Sequence, residues 1–93
     1  LNAFSEVEQQ LELGESLNLQ VAALETALKQ SEDAYNLSKE RYDSGVTSLE
    51  SVLNSQRQFN DIKSQHIRIK RLIVDNRLSL ILALGGNTPQ NKI

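Results

Sequence analysis

Ninety-three residues, 39% apolar and 24% charged, leave room for one small domain with a thin core. The chain holds no cysteine, four aromatic residues, one proline and four glycines, which excludes a disulfide scaffold and a cysteine-ligated metal site and leaves too few turn residues for an all-β sandwich or barrel. A net charge of −2 and an isoelectric point near 5.3 argue against a general nucleic-acid binder.

From Asn2 to about Asp43 the sequence reads as one long helix, with Gly14 as its single glycine. Val7, Gly14, Val21, Leu28, Tyr35 and Tyr42 recur every seven residues. Leu17, Leu24, Ser31 and Ser38 form a second repeat three places out of phase, giving the 3-4 spacing of a coiled-coil seam. Gly14 inside the helix costs about 1 kcal/mol relative to alanine, and the small residues on the seam allow close helix approach.

The break falls at 44–47. Gly45 suits the left-handed conformation that ends a helix, and Lys39 and Arg41 stand where the helix dipole favours cations. Thr47 followed by Glu50 reads as a capping box that starts the next helix. A stop and a start this close predict an antiparallel helical hairpin. The second helix is expected over about 48–84, on the stripe Val52, Phe59, His66, Ile73 and Leu80. Leu53, Ile67, Val74 and Ile81 lie beside that stripe, and Ile62 and Ile69 widen it. Gly85-Gly86 and Pro89 close the helix, leaving 87–93 as a frayed tail. The fold class is therefore all-α: an antiparallel coiled-coil hairpin of two long helices.

Charge is divided unevenly between the halves. Residues 1–43 hold nine acids and three bases, and residues 44–93 hold three acids and seven bases. Folding at Gly45 is expected to bring Glu32 and Asp33 near Arg57, and Glu12 and Glu15 near Arg77, pairs that specify alignment more than they add stability. One seam buries too little for a stable stand-alone domain. Leu13, Leu37 and Ile62 lie off the main seams, so further helices are expected to cover them, from other parts of a longer chain or from other copies. The start at Leu1 is read as processing or excision from something longer. No targeting signal is visible. The longest nearly apolar run, Leu78 to Leu84, falls far short of the roughly 20 residues of a spanning helix, and no alternating stretch of about ten residues suggests a membrane strand.

Catalytic chemistry finds little purchase. His66, the single histidine, sits on the apolar stripe and reads as a seam residue with its nitrogen satisfied by a neighbour. No nucleophilic cysteine, phosphate-binding glycine loop or histidine–carboxylate cluster with metal spacing is present. Glu32-Asp33 and Glu6/Glu8 read as solvated faces. Arg68, Lys70 and Arg71 lack the interleaved aromatics of a nucleic-acid site. Lys63, Lys70 and Arg77, seven apart, are the flanking charges of a seam. The chain is expected to be no enzyme, with no metal and no cofactor. Tyr42 either plugs the tip of the hairpin or faces a partner, and the polar turn 43–48 is a candidate contact.

Several motifs carry more than a fold class. Arg41-Tyr42-x-x-Gly45-Val46-x-Ser48, Val52-Leu53-x-x-Gln56-Arg57 and Ala83-Leu84-Gly85-Gly86 resemble the C-terminal segment of the TolC-like outer-membrane efflux proteins, as do Ala3-Phe4-x-Glu6-Val7 and Ala34-Tyr35-x-Leu37-Ser38 upstream. The resemblance implies that residues 1–86 are the last periplasmic helix pair of a homotrimeric channel whose three chains build an α-helical barrel. It places the tip, Asp43, Ser44, Gly45, Val46, Thr47 and Ser48, at the periplasmic entrance, against the hairpins of a periplasmic adaptor (membrane fusion) protein. An inner-membrane pump or secretion ATPase completes such an assembly. Membrane contact would run only through barrel strands that this segment lacks. Tyr42 matches a tyrosine at the family's channel entrance. Asn54 stands where many members carry aspartate, which removes a negative ring there, and Thr47 stands where some carry arginine. Asn87-Thr88-Pro89 replaces the glycine-tryptophan of many relatives. Two other classes compete: a small secreted hairpin of the WXG type, which lacks its tryptophan-x-glycine here, and an adaptor's own coiled coil, which would adjoin a β domain.

Overall fold

The computed structural model describes residues 3–85. Two α-helices, α1 (Ala3–Asp43) and α2 (Leu49–Gly85), are joined by one short turn, and no strand occurs among the described residues. The fold is an all-α antiparallel hairpin. Gly86, Pro89 and the tail 87–93 lie outside the described residues.

The chain divides into two compact units. One joins the segment up to Val21 with that from Ile69 onward; the other, the turn unit, is Ala22–Arg68. On α1 the seam is the 3-4 stripe of the sequence from Val7 to Ser38. Leu17 (3% exposed) and Ile69 are the buried aliphatics of the terminal unit, and Val52 is that of the turn unit. The predicted stripe on α2 is the hidden one: Phe59, His66, Ile73 and Leu80 are half-buried in line with Val52.

Its companion row differs from expectation. Leu53, Ile67, Val74 and Ile81 are 47–63% exposed, whereas Ser55, Ile62, Ile69, Asn76 and Ala83 turn inward. The more apolar row thus faces out and the row with serine and asparagine faces α1. The cause lies across the seam, where α1 offers Ser38 to Ser55 and Gln10 to Asn76. A buried polar group costs little only where a partner meets it. Ile62 and Ile69, expected as a widening of the face, belong to the seam itself. Leu13 and Leu37 are exposed, as is Leu19.

The expected ion pairs also differ. Among the described residues, neither Glu32 nor Asp33 pairs with Arg57, and neither Glu12 nor Glu15 pairs with Arg77; Asp33 instead meets Lys29 on its own helix at 3.6 Å. Glu12, Asp33 and Arg57 each follow a seam residue (Val7, Leu28, Val52) by five places, on the solvent side of their helices. Reaching across the seam would order two long side chains for a screened attraction.

Candidate functional site

The turn is built by backbone chemistry. Gly45 takes φ 77°, a left-handed conformation that costs an ordinary L-residue roughly 1–2 kcal/mol. The Val46 N–H donates to the Arg41 carbonyl at 2.8 Å and the Gly45 N–H to the Tyr42 carbonyl at 2.9 Å. These are the two bonds of a Schellman motif. Ser44 donates through both its N–H (3.1 Å) and its hydroxyl (3.0 Å) to the Glu40 carbonyl, and Arg41 adds a cation to the last turn. The carbonyls of Arg41 and Tyr42, orphaned by the end of α1, are thereby met.

The start of α2 corrects the expected capping box. Ser48, not Thr47, is the N-cap: its hydroxyl accepts the Ser51 N–H at 3.3 Å, and its carbonyl accepts the first helical bonds from Ser51 and Val52. The frame shifts by one because α2 begins at Leu49, which puts Ser51 at the position where a box needs Glu or Gln. Glu50 instead places its charge in the first turn, against the helix dipole.

A Schellman motif commonly packs the residue after the glycine back onto the helix. Here that residue is Val46, and it stands 72% exposed. Leu49, Leu53 and Tyr42 are also exposed, Tyr42 by 43%. The end of the hairpin therefore combines a fixed backbone with an open aliphatic and aromatic surface. Asp43, Ser44 and Ser48 are exposed around it and Thr47 is half-buried. Asn54 is exposed one turn into α2, and its Oδ1 accepts a hydrogen bond from Arg57 Nη1 at 3.0 Å. A cation thus stands beside Asn54, a contact with no sequence signal beyond the i, i+3 spacing.

Behind the tip, the turn unit is held by matched pairs. The Ser38 and Ser55 hydroxyls share a hydrogen bond at 3.1 Å. Tyr35 stacks on Phe59 with centroids 6.0 Å apart, and Lys39 and Lys63 lie over these rings at 4.5 and 4.9 Å. Ser31, buried on the seam, donates to the Leu28 carbonyl. His66 is a seam residue with a partner, as its place on the stripe predicts: Nε2 is 3.5 Å from Glu25 Oε2. No group of three or more His, Cys, Asp or Glu side chains forms a metal cage among the described residues, and no described helix is long and apolar enough to cross a membrane.

A family model described as outer membrane efflux protein matches residues 1–86. The chain is 30% identical over 86 residues to a Pseudomonas putida protein named pyoverdine export outer membrane protein OpmQ, and 29% identical over the same length to its Pseudomonas aeruginosa counterpart. Each match covers 92% of this chain and 18% of the relative, so the chain spans under a fifth of the length of these proteins. No solved structure matches it.

Proposed function

This chain belongs to the outer membrane efflux protein family, and we propose that it forms part of the wall and the adaptor-docking tip of a trimeric efflux conduit. In this reading residues 1–86 lie in the periplasm of a Gram-negative bacterium. Three subunits close an α-helical barrel, and the parent protein meets the outer membrane through strands outside this chain. The tip 43–48 meets a periplasmic adaptor, and an inner-membrane pump supplies the transported molecule. The role is passive, with no bond made or broken. Both relatives are named for pyoverdine export; from them we take the direction of transport and not the cargo.

Two features support a wall. Leu53, Ile67, Val74 and Ile81 face outward although they are the more apolar row of α2, which suits a helix with a further helix beside it. Serine, asparagine and glutamine make up about a quarter of the chain, which suits helices wetted on two sides.

The single observation that carries the docking reading is Val46, exposed on a turn held by the backbone bonds of Ser44, Gly45, Val46 and Thr47 to the end of α1. A preorganised apolar contact costs little entropy on binding. Tyr42 and Asn54 would line the entrance beside it, with Arg57 holding the Asn54 carbonyl oxygen. The test is Val46→Glu in the intact protein, a change that leaves the Gly45 backbone alone. Co-purification with the adaptor and export should both be lost while trimer and outer-membrane level stay normal. Normal adaptor capture by that variant would remove the docking role.

A further inference from the structure

A strict seven-residue repeat leaves an ambiguity. Val7, Gly14 and Val21 on α1 and Ile73 and Leu80 on α2 recur at the same period, so sliding one helix by a heptad returns most apolar residues to apolar places. Asn76 is the residue of the terminal unit that such a slide would not satisfy. Its side chain is buried, 6% exposed. Its Nδ2 donates to the Gln10 backbone carbonyl at 2.8 Å and to Gln10 Oε1 at 2.9 Å. Its Oδ1 lies 2.8 Å from where a β-carbon on Gly14 would stand, closer than real side chains allow.

The seat for Asn76 has two requirements, and one α1 heptad meets both. It needs a second acceptor beside the backbone carbonyl, which Gln10 supplies, and an empty place one turn on, which Gly14 supplies. One heptad further along, Leu17 replaces Gln10 and Val21 replaces Gly14. There the valine fills the space and the second acceptor is gone. One heptad back, Val7 stands where Gly14 must be.

We propose that Gln10, Gly14 and Asn76 form a register key, a buried polar clasp that admits a single alignment of α1 and α2 in the terminal unit. The turn fixes the pairing where the chain reverses; the clasp fixes it again in the other unit. Gly14 then leaves the Asn76 amide its place; alanine, the better helix former, would force the Oδ1 end of that amide to shift.

The test is cysteine cross-linking in the intact protein, read by mass spectrometry of the linked peptides. Val7→Cys with Ala83→Cys, one heptad beyond Gly14 and Asn76, reports the native alignment. Leu17→Cys with Leu80→Cys reports a slip of one heptad, and is read only as the change between clasp variants that all carry this pair, so that the cost of opening the seam at Leu17 is common to every arm. With the clasp intact, only the first pair should link. Asn76→Asp sets a carboxylate against the Gln10 backbone carbonyl, a clash that turning the Gln10 side-chain amide does not relieve, so native linking should fall several-fold at neutral pH. With an added oxidant and the parent linked at the same pH as reference, native linking should recover towards the parent's on acidification, when the protonated carboxyl donates again. Asn76→Ala with Gly14→Ala removes the key and leaves room for both β-carbons; both cysteine pairs should then link. The proposal is overturned if that double variant links only in the native alignment. It is equally overturned if Asn76→Asp links like the parent at neutral pH, or fails to recover in acid.

Discussion

The two units of this hairpin solve one packing problem with different means. The turn unit relies on many modest matches spread along its seam: a serine pair, a stacked aromatic pair with a lysine over each ring, and a histidine–glutamate contact. The terminal unit concentrates its specificity in one clasp between Leu17 and Ile69 on one side and a run of exposed aliphatics on the other. Leu11, Leu13, Leu19, Leu72, Val74, Leu78, Ile81, Leu82 and Leu84 are all open there. The turn unit leaves fewer open: Leu37, Tyr42, Val46, Leu49, Leu53 and Ile67. The terminal unit carries a seam that is complete and an outer surface that is not.

The sharpest way to break this contrast is to remove the aliphatic anchor of the terminal unit. Leu17→Ala should cost about 2–5 kcal/mol, the usual range for a buried leucine. Hydrogen exchange should show protection lost from Ala3–Val21 and Ile69–Gly85 while the turn unit keeps most of its own. Equal loss in both units would mean that they open as one cooperative block and that the contrast has no energetic content.

The next effect is smaller and local to the turn. Ser48→Ala should cost about 1 kcal/mol by removing the N-cap hydroxyl. Thr47→Ala should cost much less, since the Thr47 hydroxyl holds no cap. Comparing the two by denaturant unfolding, or by exchange at the Ser51 amide, decides the capping frame. A larger loss for Thr47→Ala would restore the capping box read from the sequence.

That frame shift shows where the sequence was informative and where it was not. The two helices, the turn at Gly45 and the stripe Val52, Phe59, His66, Ile73 and Leu80 were all legible, because a seven-residue period and a single glycine between helical runs leave few alternatives. The N-cap was not, because Thr47 and Ser48 have the same chemistry and only the backbone path chooses between them. The inner companion row of α2 was not legible either. Hydropathy favours Leu53, Ile67, Val74 and Ile81, yet the fold buries Ser55 and Asn76. That choice is a property of pairs, Ser38 with Ser55 and Gln10 with Asn76, separated by 17 and 66 residues. A period read along one helix carries no information about which polar groups meet across two. At the tip, the residues were identifiable by spacing, but the exposure of Val46 and the Arg57–Asn54 contact follow from the path of the folded turn.

The smallest predicted effect tests how the turn unit's pairs add up. Glu25 is 63% exposed at its side chain while His66 is 15% exposed, so one partner of this contact is in solvent and the other on the seam. Solvent screening limits such a pair to a few tenths of a kcal/mol. Glu25→Gln keeps the length and an acceptor and should change stability by no more than that, with little dependence on salt. Truncation at His66 should cost more, because it empties a seam position. His66→Ala costing no more than Glu25→Gln would mean that the imidazole contributes no packing, and that the turn unit rests on its aromatic and serine pairs alone. A salt-sensitive loss of more than 1 kcal/mol for Glu25→Gln would point the other way, to an ion pair as a principal tie of the turn unit and to a seam as dependent on one contact as the seam at Asn76.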